Sequence, residues 1–165
     1  MLQEIKEKFI EYNSEADIHF DFYYILNKEN KEFFWKKRSI ECFGYEERIR
    51  GKPDIIIYDP EREDESVIRL IAEIKYDSPD GKTTKRDGKR VHPIKIDLDK
   101  LLQLKNHYSN KYPNVKYIFL YIGVEKNLED IKMILNRYKE YKDHIEFIVM
   151  HKNYDKLFFN QDIFN

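Results

Sequence analysis

The sequence predicts an α/β fold in which a mixed sheet of four or five strands is flanked by helices. Short, almost continuously apolar runs recur along the 165-residue chain: Ile55 to Tyr58, Val67 to Ala72, Tyr117 to Ile122 and Ile145 to Met150. Runs of this length and character suit strands covered on both faces. Between and around them lie longer stretches whose apolar residues recur at helical spacing. The resulting order, α-α-β-β-β-α-β-α-β, is that of a sheet with helices packed against it.

Taken in order, Leu2 to Tyr12 carries Leu2, Ile5, Phe9 and Ile10 near helical spacing, and Asn13-Ser14 interrupts it. Ser14 reads as an N-cap with Asp17 three residues on, a variant of the capping box. The helix it opens runs from Glu15 to about Asn27, with Ile18, Phe22, Ile25 and Leu26 as its stripe. Asn27 to Glu32 is a turn, and Ser39 to Phe43 forms a first strand. Tyr45 to Lys52 is a polar connector with Gly44 and Gly51 as breakers. The strands Ile55–Tyr58 and Val67–Lys75 follow, joined by the acidic loop Asp59 to Ser66. Ser78 to His92, rich in Gly, Pro, Asp and Lys without periodicity, reads as a mobile loop. Asp97 to about Asn110 is a helix with Leu98, Leu101, Leu102 and either His107 or Tyr108 inward. Val115 to Ile122 is a strand ended by Gly123, Leu128 to Tyr141 a helix, and Ile145 to Met150 a last strand. Tyr154 to Asn165 is a packing turn or a tail. The whole chain, 1–165, reads as one domain.

Composition narrows the class. A chain of this length can bury roughly 68–70% of its unfolded surface, so it needs no staples. Charged residues make up 37%, and no apolar stretch approaches the ~20 residues of a spanning helix, which excludes a membrane protein of helical type. The N-terminus lacks a basic-then-apolar signal pattern, and the single Cys42 rules out an internal disulfide and a cysteine-based zinc site, so a cytoplasmic location is expected. Net charge is −1, which is not the balance of a tight non-specific DNA binder. The distribution is uneven, however. From Gly81 to Lys95, six cations (Lys82, Lys85, Arg86, Lys89, Arg90 and Lys95) stand against the single acid Asp87, a local net of +5.

The chemistry concentrates where the two middle strands meet. Pro53-Asp54 opens one apolar run, and Glu73-Ile74-Lys75 closes the next. Alternation puts Glu73 and Lys75 on one side of their strand. Any one of these charges alone would read as an ordinary strand-end residue or half of a surface ion pair. Two carboxylates and an ammonium converging on one point of a sheet are costly for a core, but they suit a hard divalent metal that activates water.

Pro-Asp, a 19-residue separation from Asp54 to Glu73, then Glu-x-Lys, resembles the PD-(D/E)xK nuclease superfamily of restriction endonuclease-like proteins, over about Ser14 to Ile122 (with a further helix and strand at 127–150). The resemblance implies a metal-dependent endonuclease that hydrolyses phosphodiester bonds in DNA. Asp54, Glu73 and the carbonyl of Ile74 would then hold Mg²⁺ or Mn²⁺, and Lys75 would hold the attacking water and stabilise charge on the phosphate. A Glu on the first core helix is also a family feature. Glu15 is the first choice, with Glu11, Glu32 and Glu41 as alternatives, although acids are favoured in any first helical turn. Some branches place a Gln or Lys on the helix after the Glu-x-Lys strand; here Lys100 and Gln103 share a face, which reads first as a solvated surface.

The basic segment 82–95 is a candidate for phosphate contact, or simply a charged loop. The histidines (His19, His92, His107, His144 and His151) show no ligand spacing and read as structural or surface residues. A phosphate-binding glycine loop, a dinucleotide fingerprint and a nucleophile elbow are all absent from the sequence. A duplex cutter of this size is expected to act as a homodimer or inside a larger complex. The alternative is a non-catalytic nucleic-acid- or protein-binding module that keeps the nuclease fold.

Overall fold

The computed structural model describes residues 53–59, 67–77, 84–86 and 89–164. The expected elements before residue 53, with Glu11, Glu15, Glu32 and Glu41, lie outside the described residues, as does Lys82. The described elements are β1 (Ile55–Asp59), β2 (Val67–Tyr76), β3 (Thr84–Arg86), β4 (Lys89–Val91), α1 (Pro93–Tyr108), β5 (Lys116–Gly123), α2 (Leu128–Asn136), β6 (Glu146–His151), β7 (Leu157–Phe159) and α3 (Asn160–Ile163), with a 3₁₀ turn at Lys139–Tyr141. The fold is α/β, with an open five-stranded mixed sheet in the order β1-β2-β5-β6-β7. The central strands β2, β5 and β6 run parallel, and the outer pairs β1/β2 and β6/β7 are antiparallel. Parallel neighbours need a crossover, which α1 supplies between β2 and β5, and α2 between β5 and β6. No helix among the described residues is long and apolar enough to cross a membrane.

Two apolar clusters lie on opposite faces of the sheet. Ile71, Phe119 and Phe147 pack with the inner stripes of α1 and α2, whereas Ala72, Ile74, Leu120 and Ile122 belong to the other cluster with Ile55. The alternation of β2 therefore sends Ile71, Glu73 and Lys75 to the α1 side.

α1 begins four residues before its expected start. His92 is the N-cap, its Nδ1 accepting from the Ile94 N–H at 3.3 Å, and Pro93 occupies the first turn. Proline is suited there because its missing N–H is one that the first turn leaves unpaired in any case. Ile94, Leu98, Leu101, Leu104 and Tyr108 form the buried stripe, so Tyr108 and not His107 turns inward. α2 stops at Asn136, earlier than the expected Tyr141, and the chain continues into the 3₁₀ turn. The expected loop 78–92 contains a hairpin, with Lys85 opposite Arg90 and Arg86 opposite Lys89. The two intervening residues are Asp-Gly, a strong short-range hairpin signal. The C-terminus is an edge strand and a short helix, held by Asn160. Its Oδ1 accepts from the Phe147 N–H at 2.7 Å, and its amide donates to the carbonyls of Lys142 and Ile145.

The end of β2 is tied to the β5–α2 connection by Asp77. Its buried carboxylate accepts from the backbone N–H groups of Val124 (2.7 Å), Glu125 (3.0 Å) and Lys126 (2.8 Å). His151 secures the same connection from β6. Its Nε2 bonds the Lys126 carbonyl at 2.9 Å while Nδ1 accepts from the Asn153 N–H at 3.1 Å. That ring leaves no room at Gly123, where a Cβ would fall 3.0 Å from His151 Cδ2 and 2.3 Å from Ile131 Cδ1. Ile131 can swing its terminal methyl away, but the histidine is bonded at both nitrogens. Gly123→Ala is therefore expected to destabilise the fold by about 1–3 kcal/mol through overpacking, read as a lower midpoint in thermal unfolding with an unchanged far-ultraviolet spectrum at low temperature.

Candidate active site

The β1/β2 register places Ile55 opposite Ala72, so Asp54 arrives beside Glu73. Asp54 is held there by the backbone, its Oδ2 accepting from the Ile74 N–H at 2.8 Å. Glu73 lies in mid-sheet opposite Phe119 and is 1% exposed. Lys75, two residues on and opposite Tyr121, stands on the same face. Asp54, Glu73, Ile74 and Lys75, selected from the sequence, thus come together at one end of β1 and β2.

α1 completes the group. Lys100 reaches down so that its Nζ lies 2.7 Å from Glu73 Oε1, with its side chain 12% exposed. Asp97, one turn earlier, stands between the two lysines: its Oδ2 is 3.7 Å from Lys75 Nζ and its Oδ1 is 3.9 Å from Lys100 Nζ. The cluster therefore holds three carboxyl groups and two ammonium groups. Asp97 went unrecognised in the sequence, where it read only as the start of a helix. Its signal was the three-residue spacing to Lys100, which puts both side chains on one face. Gln103 is exposed one turn beyond Lys100, so the described contacts of α1 with the cluster come from Asp97 and Lys100.

The electrostatics centre on Glu73. Burial above all, and then the Asp54 carboxylate, push its pKa up to about 9, with Asp97 adding to the rise and Lys100 opposing it. Without a further cation the carboxyl keeps its proton at neutral pH. Lys100 Nζ stands 2.7 Å from Oε1, which is otherwise shut off from water. A buried carboxyl next to a second carboxylate is a place where a hard cation gains binding energy. The donor set therefore fits Mg²⁺ or Mn²⁺, which commonly bind one or two protein carboxylates and keep several waters. No three His, Cys, Asp or Glu side chains form a metal-binding group among the described residues.

His92 borders the cluster at the α1 N-terminus. Its pKa is lowered by partial burial first, and then by Lys75, Arg137 and Lys126. The neutral ring is consistent with Nδ1 acting as an acceptor in the helix cap. The basic segment divides. Lys85, Arg86, Lys89 and Arg90 lie on the β3/β4 hairpin that follows β2. Lys95 is engaged on α1, where its Nζ donates to Asp99 at 3.0 Å and to the Tyr141 hydroxyl at 3.0 Å.

Compared with protein-family models, with curated proteins and with solved structures, the chain matches none.

Proposed function

We propose that this chain is a metal-dependent nuclease of the PD-(D/E)xK type, with a restriction endonuclease-like core, that hydrolyses phosphodiester bonds in DNA. The observation that carries this reading is the buried Glu73 carboxyl held beside Asp54, with Lys75 on the same sheet face. In this reading Asp54, Glu73 and the carbonyl of Ile74 hold Mg²⁺ or Mn²⁺. A bound divalent ion supplies positive charge at the phosphate and lowers the pKa of coordinated water. Lys75 orients the attacking water and stabilises the negative charge that develops on the phosphoryl oxygens. Asp97, 3.7 Å from Lys75, limits where that ammonium can stand. Asp54 is kept in place by the Ile74 N–H, so the position of its carboxylate is fixed by backbone. Glu15, which lies outside the described residues, would add a further acidic group to the site. The hairpin cations Lys85, Arg86, Lys89 and Arg90, together with Lys82 and Lys95, would contact the phosphate backbone. A homodimer, or a partner within a larger complex, would bring a second site to the opposite strand of a duplex.

The test is incubation of the purified chain with supercoiled, linear, branched and single-stranded DNA, with Mg²⁺, with Mn²⁺ and with a chelator. Cutting that needs the divalent ion is the expected result. DNA bound but uncut on every substrate would instead favour the non-catalytic binding module.

A further inference from the structure

We propose that Lys100 is a built-in ammonium that occupies the cation position beside Asp54 and Glu73 in the absence of a divalent cation and is displaced toward Asp97 when one binds. The inference rests on the metal-site reading of Asp54 and Glu73. A free metal site would leave Glu73 facing only another carboxylate, yet Lys100 extends from α1 to place its Nζ 2.7 Å from Oε1. An ammonium at that distance stands where a hard cation bound to Oε1 would put its own charge, and two cations so close in a poorly solvated site repel strongly. Lys100 therefore cannot keep this position beside a bound divalent ion.

The same helix provides an alternative position. Asp97 Oδ1 is already 3.9 Å from Lys100 Nζ, three residues back on the same face. A change in the rotatable stem of Lys100 moves the ammonium from Glu73 toward Asp97 without moving the backbone, and flexible four-carbon stems permit such changes. Asp97 also faces Lys75 at 3.7 Å, so the displaced ammonium would remain in the cluster beside the lysine assigned to the phosphate. The consequence is selectivity by charge: a monovalent ion has less to gain from displacing an ammonium than a divalent one has.

The test is Mn²⁺ affinity, measured by calorimetry in the absence of DNA, for the wild-type chain, Lys100→Met and Asp54→Asn. Methionine keeps the length and apolar stem of lysine and removes the charge. Lys100→Met is expected to bind Mn²⁺ about tenfold more tightly than the wild type, equivalent to ~1.4 kcal/mol, while Asp54→Asn binds it more weakly. Lys100→Gln serves as a second neutral variant should the methionine chain fail to fold. Wild-type binding with equal or weaker affinity in the neutral variants would overturn the place-holding role of Lys100 and leave the metal site standing. Absence of Mn²⁺ binding in the wild type and the neutral variants alike would overturn both.

Discussion

Lys75→Met and Asp54→Asn are each expected to lower the rate of divalent-dependent DNA cleavage by roughly 10²–10³-fold or more, the loss that follows removal of one preorganised charge-stabilising group. The two variants isolate chemistry from folding. Asparagine retains an oxygen that can accept from the Ile74 N–H, so the 2.8 Å bond that anchors residue 54 has a replacement. Methionine fills the volume of the Lys75 stem, and the ion pair it removes, at 3.7 Å with both side chains partly exposed, contributes little to stability. DNA binding should respond in opposite directions. Asp54→Asn removes negative charge facing a polyanion and should leave affinity unchanged or raise it. Lys75→Met removes a cation and should lower it. The comparison requires single-turnover cleavage, filter binding and thermal unfolding on the same preparations. Full cleavage by either variant would remove its residue from the mechanism proposed above.

How much of this site was legible depended on whether its signal was local. Asp54, Glu73 and Lys75 could be chosen because each borders an apolar run whose strand character fixes its direction, and alternation alone put Glu73 and Lys75 on one face. β2, β5 and β6 were visible for the same reason, as continuous apolar runs in a sheet covered on both sides. Asp97 and Lys100 were harder. On a helix of mixed composition their charges look solvated, and only the docking of α1 over β2 turns them inward. The sequence offers Lys100 only as an alternative to a solvated surface, and Asp97 only as a helix start. The hairpin was missed because a 15-residue stretch of Gly, Pro and charge was read by composition, although Asp-Gly between two basic triplets carries a turn signal. The helix start at Pro93 is harder to see because the expected start at Asp97 leaves out the first turn, where His92 caps and proline is well suited. Asp77 and His151 were invisible for another reason: the backbone groups they hold in the β5–α2 connection lie 25 or more residues away, which no local pattern encodes.

Glu73→Gln is expected to make the chain more stable without divalent ions, by about 3 kcal/mol at pH 7, while it impairs the metal site. The sign follows from the raised pKa. In the unfolded chain the carboxyl titrates at its ordinary value of 4.5, and in the folded chain at about 9, chiefly because burial disfavours the charged form and Asp54 repels it. Between those values the folded state binds the proton more tightly, so stability falls as the pH rises through the window. Below pH 4.5 the group is protonated in both states and the penalty is absent; above pH 9 the penalty is at its fullest. Glutamine has no proton to lose, so its unfolding free energy lacks this slope. The two chains should be similarly stable near pH 4.5 and diverge as the solution is made alkaline, by ~1.4 kcal/mol for each pH unit inside the window. Urea unfolding at several pH values, with a chelator present throughout, measures the divergence; parallel curves would show that Glu73 ionises freely and would remove the electrostatic basis of the site. Saturating Mg²⁺ should narrow the gap, because an ion bound only by the native wild type stabilises it by mass action and does little for the glutamine variant. Glu73 thus destabilises the apo fold, which is what a carboxyl retained for binding a cation, and not for packing, is expected to do.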